Sequence, residues 1–196
     1  FNCAPDVSTR AGGVLPRADN AIQGARGFHP GQQSIGHGYP VAMQLADSPM
    51  IRILVVHGAG LERRGLENVA TFGALTMADY NAAIARFATD LNLEVSIFHS
   101  LDADAIILNL VACKANGVDG VIINPANFTV GQPSLAQAIM DTGLPTVELH
   151  ISNPANRGVV SDIAPSTTGV VAGFGVRGYL LALQGLRDLI VTSRSS

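Results

Sequence analysis

Ile51-Arg52-Ile53-Leu54-Val55-Val56-His57 is an apolar, largely β-branched run that empties into Gly58-Ala59-Gly60. A strand this apolar has no wet face, so it must lie inside a sheet covered on both sides, which calls for parallel strands and crossover helices. The rest of the chain alternates as that demands. Thr76, with Asp79 three places on, opens a helix whose apolar face is Tyr80, Ile84, Phe87, Ala88 and Leu91. Leu93–Phe98 reads as a second strand, Asp102–Asn116 as a helix stopped by Gly117, and Val118–Asn124 as a third strand. Pro133–Thr142 is a helix closed by Gly143, Pro145–His150 a fourth strand, Thr168–Ala172 a short fifth, and Val176–Val191 the closing helix, with residues 192–196 as a tail. This alternation predicts an α/β domain over residues 51–191, a five-stranded parallel sheet with helices on both faces.

Residues 1–50 follow a different grammar. Seven glycines and five prolines interrupt short apolar runs with no sustained period. They read as an N-terminal extension, either without fixed structure or wrapped on a neighbouring subunit through anchors such as Phe28, His29, Tyr39 and Met43. Only 14% of the 196 residues are charged, against roughly 25% in an average soluble domain, and the mean hydropathy is +0.31. No uninterrupted apolar stretch reaches the roughly 18 residues that a membrane span needs, so the apolar excess points to a buried homo-oligomer interface. The formal net charge is −3, and Arg63-Arg64 is the sole dense basic pair, which argues against nucleic-acid binding. Cys3 and Cys113 lie far apart without metal-ligand spacing and read as free thiols of a reducing compartment. The chain starts at Phe1, which reads as a processed or truncated start, and its first residues lack the pattern of a signal peptide; the expected location is the cytoplasm.

In an open parallel sheet, ligands bind beyond the carboxyl ends of the strands. Those ends carry His57, Asn124 and the segment Glu148-Leu149-His150, followed by Ser152-Asn153. A lone histidine at a strand end is usually a structural residue, and His57 is first read so. His150 is the stronger candidate, because Glu148, His150 and Ser152 alternate onto one side of an extended segment and a carboxylate two residues from an imidazole fixes its tautomer. A hydrogen-bonded strand end is the plain alternative. His57, His99 and His150 lack short-range ligand spacing, so neither metal nor other cofactor is expected.

Three segments carry a family resemblance: Ile122-Ile-Asn-Pro125, Val147-Glu-Leu-His-Ile-Ser-Asn153, and Pro165–Thr168 running into Gly169-Val-Val-Ala-Gly-Phe-Gly-Val-Arg-Gly-Tyr-Leu-Leu-Ala-Leu183. Together they resemble the type II 3-dehydroquinate dehydratases, over about Ile51 to Leu189. The resemblance implies a flavodoxin-like, doubly wound sheet of order 2-1-3-4-5 and a trimer-based assembly, typically a dodecamer, which would explain the sparse charge. It also implies a mechanism. A loop tyrosine polarised by an arginine removes a proton alpha to a ketone, and a histidine then protonates the departing hydroxyl. On this chain the general acid falls on His150 with Glu148 beside it, while Asn124, Ile151, Ser152 and Asn153 match the groups that hold substrate.

The loop after the first strand departs from the family pattern. Where the family reads Asn-Gly-Pro-Asn-Leu, this chain has His57-Gly-Ala-Gly-Leu61; where it reads Arg-Glu-Pro-x-x-Tyr-Gly, this chain has Glu67-Asn-Val-Ala-Thr-Phe-Gly73. Phe72 thus stands at the tyrosine and Glu67 at the arginine. Thr129-Val130 replaces Thr-His, Gln137 replaces a helix acid, and Arg157 is a displaced remnant of a carboxylate-closing segment. Loss of a general base typically costs about 10²–10⁴ in rate. The expectation is therefore a lyase-type acid–base enzyme, a dehydratase, hydratase or isomerase, acting on a small cyclic or carboxylic acid other than 3-dehydroquinate. Glu67 against an apolar lining that includes Phe72, or a His57 titrating near neutrality, would supply the missing base. The alternative is a catalytically silent oligomeric scaffold or binding protein, against which the retained Asn124, Glu148, His150, Ser152 and Asn153 count.

Overall fold

The computed structural model describes residues 50–195; the expected N-terminal arm lies outside the described residues. Strands β1 (Ile51–His57), β2 (Leu93–His99), β3 (Gly120–Asn124), β4 (Thr146–His150) and β5 (Gly169–Ala172) form one parallel sheet in the order β2-β1-β3-β4-β5. This is the doubly wound, flavodoxin-like order. The helices are α1 (Val69–Phe72), α2 (Met77–Asp90), α3 (Ala103–Cys113), α4 (Pro133–Thr142) and α5 (Arg177–Arg194).

Side-chain alternation in the strands divides the core in two. Ile53, Val55, Ile122, Val147 and Leu149 pack with Tyr80 and Ile84 of α2 and with Tyr179, Leu183 and Leu186 of α5. Leu54, Val56, Val121 and Ile123 pack on the other face with Ile106 and Leu110 of α3 and Leu135 and Ile139 of α4. Fully burying such a side chain contributes roughly 1.5–3 kcal/mol, so both faces of β1 and β3 hold the sheet in place. The parity also decides the site. His57 and Asn124, paired in register, fall on the α2/α5 side with Val55 and Ile122. Glu148, in register with Ile123, falls with His150 on the α3/α4 side.

Several boundaries differ from the sequence-based expectation. Thr76 caps α2 as expected: its hydroxyl accepts from the Asp79 amide, and the Asp79 carboxylate accepts from the Thr76 amide. The second expected helix stops at Cys113, because Gly117 turns left-handed at φ 74° and the Gly117 and Val118 amides bond back to the Lys114 and Cys113 carbonyls. The third strand starts at Gly120, since the Asp119 carboxylate is taken by the Arg52 amide and by Arg194. α5 runs on to Arg194, into the expected tail. Among the described residues no helix is long and apolar enough to cross a membrane, and Cys113 is a free, buried thiol.

Candidate active site

The chain leaves β1 at Gly58, whose amide donates to the Asn124 carbonyl at 2.8 Å. Any side chain at this position would run into the Pro125 carbonyl, so the close approach of the two strand exits requires glycine. Gly60 turns left-handed at φ 98°, the Asn127 amide donates to Ala59, and the fully buried Leu61 anchors the start of a 3₁₀ turn. These ties bring the β1 loop against the exits of β3 and β4. Between them lies a cavity of about 280 Å³, near the lower edge of the roughly 300–1,000 Å³ typical of ligand pockets.

One wall is the His150–Glu148 pair. Glu148 is fully buried, and its Oε1 accepts from His150 Nε2 at 2.7 Å and from the Ser161 hydroxyl at 2.6 Å. Ser161 Oγ is itself fixed by the amides of Ile163 and Ala164. With Nε2 committed to the carboxylate, the cavity-lining imidazole keeps Nδ1 for a ligand, as acceptor when neutral and as donor when protonated. Ser161 lies 13 residues beyond Glu148, in a loop whose sequence gives no local signal for this contact.

The second histidine sits in a different environment. His57 is fully buried on the α2/α5 side, with Nε2 3.1 Å from Asn81 Oδ1 and Nδ1 3.4 Å from the Tyr179 hydroxyl. Asn124 Nδ2 donates to the same hydroxyl at 3.0 Å. A consistent proton order runs Asn124 to Tyr179 to His57 to Asn81. Burial pulls the His57 pKa down to about 4 and pushes the Tyr179 phenol up. The expectation that His57 titrates near neutrality is thereby corrected: desolvation, which the Asn81 bond only partly offsets, keeps it neutral, and it does not line the cavity. Asn124 does line it, and couples it to this buried chain.

The loop side is cationic and apolar. Phe72, whose carbonyl accepts from the Tyr80 hydroxyl, faces the cavity. The Arg64 guanidinium lies 3.6 Å from the Phe72 ring centre and that of Arg157 lies 5.4 Å from it. Arg157 Nη1 donates to Ser152 Oγ at 2.9 Å and to the Asn153 carbonyl at 3.3 Å. Ile151 and Ser152 line the cavity, whereas the Asn153 side chain caps the following turn through the Ala155 amide. Glu67 stands apart: it forms an ion pair with Arg63 on the surface and is not among the cavity-lining residues. The expected meeting of Glu67 with an apolar lining does not occur, because Arg63 is four residues away and competes for the carboxylate in solvent. Arg64, singled out in the sequence only as half of the dense basic pair, is the member of this loop's charged residues that lines the cavity. Among the described residues no Asp or Glu lines the cavity, and no group of three or more His, Cys, Asp or Glu is placed to hold a metal.

The profile of the family described as dehydroquinase class II matches residues 51–187. The chain is 36% identical over 139 residues to a 3-dehydroquinate dehydratase from Geotalea daltonii, covering 69% of this chain and 96% of that one. It is 35% identical over 149 residues to the corresponding protein of Desulforudis audaxviator, covering 74% and 99%. Among solved structures, a type II dehydroquinase from Butyrivibrio crossotus superposes with a TM-score of 0.68 at 27% identity, covering 70% of this chain and 98% of its own. A 3-dehydroquinate dehydratase-like protein from Bifidobacterium longum gives a TM-score of 0.56 at 28% identity, with coverages of 72% and 99%.

Proposed function

Because the chain belongs to the dehydroquinase class II family, we propose that it is a lyase-type acid–base enzyme, a dehydratase, hydratase or isomerase, acting on a small cyclic or carboxylic acid other than 3-dehydroquinate. The observation that carries this reading is the buried Glu148 carboxylate 2.7 Å from Nε2 of a cavity-lining imidazole. Such a pair orients the ring, fixes its tautomer and stabilises the imidazolium, as a general acid requires. In the elimination direction neutral Nδ1 takes the proton from the carbon next to the acid or ketone group, and the enolate charge rests against a guanidinium. The same proton then passes to the departing hydroxyl as the double bond forms, the carbon–oxygen bond breaks and water leaves. Ser152, Arg157 and the Asn124 amide hold the substrate carboxylate and ring hydroxyls.

Phe72 supports a substrate other than 3-dehydroquinate, since a phenyl ring carries no exchangeable proton where the family's tyrosine base is expected. The loop side brings guanidinium charge and an apolar wall instead. That suits a reaction whose developing negative charge is held by Arg64 or Arg157 while His150 moves the proton. A thermal-shift and turnover screen over cyclic hydroxy acids and keto acids tests the reading. At least one acid should raise the melting temperature and be converted, and His150→Ala should abolish the conversion. No ligand response, or responses unchanged by His150→Ala, would end it.

A further inference from the structure

Arg64 and Arg157 reach the Phe72 ring from different loops, the exit of β1 and the turn after β4, and neither has an acidic partner among the ion pairs of the described residues. Arg64 Nε is buried with no hydrogen-bond partner. Burial holds its guanidinium below the usual arginine range, Tyr80 and Glu62 oppose that shift in part, and the charge of Arg157 adds to it. A buried, unpaired donor on a charged group beside a like charge is costly, and among the described residues no carboxylate lines the cavity to relieve it. Glu62 acts on Arg64 through its charge but forms no ion pair with it, its Oε2 being held by the Gly60 amide and His99, and Glu148 is fully buried with Oε1 accepting from His150 and Ser161.

We infer that the cavity binds a small dicarboxylate, one carboxylate on Arg157 and Ser152 and the second on Arg64. This deepens the function proposed above and rests on it for the site of the chemistry. A monocarboxylate satisfies one guanidinium and leaves the other unpaired. The two cations are also anchored separately, Arg157 by Ser152 Oγ and the Asn153 carbonyl, Arg64 on the face of Phe72. Separate anchors favour two anionic groups on one carbon frame over a single compact dianion such as phosphate.

Titration calorimetry on the full chain with cyclohexane-1,3-dicarboxylate, cyclohexanecarboxylate and inorganic phosphate tests this. The dicarboxylate should bind about 10- to 100-fold more tightly than the monocarboxylate, the range expected for one added hydrogen-bonded charge pair. Arg64→Gln should erase that preference, and Arg64→Lys, which keeps the charge, should retain part of it. Arg157→Gln should weaken both acids. Equal affinity for the two acids, undetectable binding of the dicarboxylate, or phosphate binding as tightly as the dicarboxylate would overturn the inference. His150→Gln separates it from the functional reading. A dicarboxylate preference that survives this change, together with a wild-type protein that converts no acid, would uphold the inference and sink the proposed function. His150-dependent turnover without the preference would do the reverse.

Discussion

The guanidinium of Arg64 lies 3.6 Å from the centre of the Phe72 ring. A cation on an aromatic face is held by the ring quadrupole, with about 0.5–2 kcal/mol in favour of the stack, so Arg64 should stay in place when residue 72 changes. Phe72→Tyr then sets a phenol beside a positive charge that favours its ionised form. This single substitution should bring measurable 3-dehydroquinate turnover, and adding Glu67→Arg should add little, because residue 67 lies on the surface beside Arg63. Activity confined to the double variant would show that the arginine must come from position 67.

His150→Ala should lower turnover of the converted acid by about 10²–10⁴. Glu148→Gln should lower kcat by on the order of 10² with little change in KM, because the amide no longer dictates which ring nitrogen carries the proton. Steady-state kinetics on both variants decide this. A Glu148→Gln effect confined to KM would mean that the carboxylate serves binding and not proton transfer.

His57 links the fold to pH. Its pKa falls from an ordinary 6.5 to about 4 on burial. Between these values the unfolded chain binds a proton that the folded chain refuses, so stability rises with pH across this window. The contribution is complete above pH 6.5 and is lost as pH falls towards 4, a change of as much as about 3 kcal/mol. Denaturant unfolding at stepped pH should show this slope, and His57→Asn, which has no titrating proton, should flatten it. An unchanged slope in the variant would assign the effect to another group.

Leu108 and Val111 of α3 are 71% and 69% exposed, and Met140 of α4 is 51% exposed. Scattered apolar residues need no explanation, but these share the α3/α4 side of a chain with little charge, and self-association is the expected consequence. Light scattering should report a mass above that of a single chain, and Leu108→Glu with Val111→Glu should reduce it. Exposed substitutions of this kind change monomer stability by only about 0.5 kcal/mol. A wild-type monomer would remove this explanation of the composition.

Much of the fold was legible because its signals are local. The unbroken apolar run of β1 demands burial on both faces, and the Thr76–Asp79 box marks a helix start without tertiary help. α1 left no such trace: it is four residues long and starts from Asn68 in a left-handed turn. In the site, Glu148 and His150 were legible because a strand places alternate residues together. The isolation of His57 from them follows from the same parity carried across β1, β3 and β4, which needs the register of the sheet. Arg64 and Ser161 were not legible, since each reaches its partner through a loop path that no periodicity describes.

The most direct measurement is the rate at which the wild-type protein forms the conjugated enone from 3-dehydroquinate, beside the Geotalea daltonii 3-dehydroquinate dehydratase under identical conditions. With Phe72 carrying no exchangeable proton and His57 neutral on the other face of the sheet, the wild-type rate should be lower by about 10² or more. A rate comparable to that of the relative would contradict the proposed change of substrate and show that another group performs the tyrosine's work.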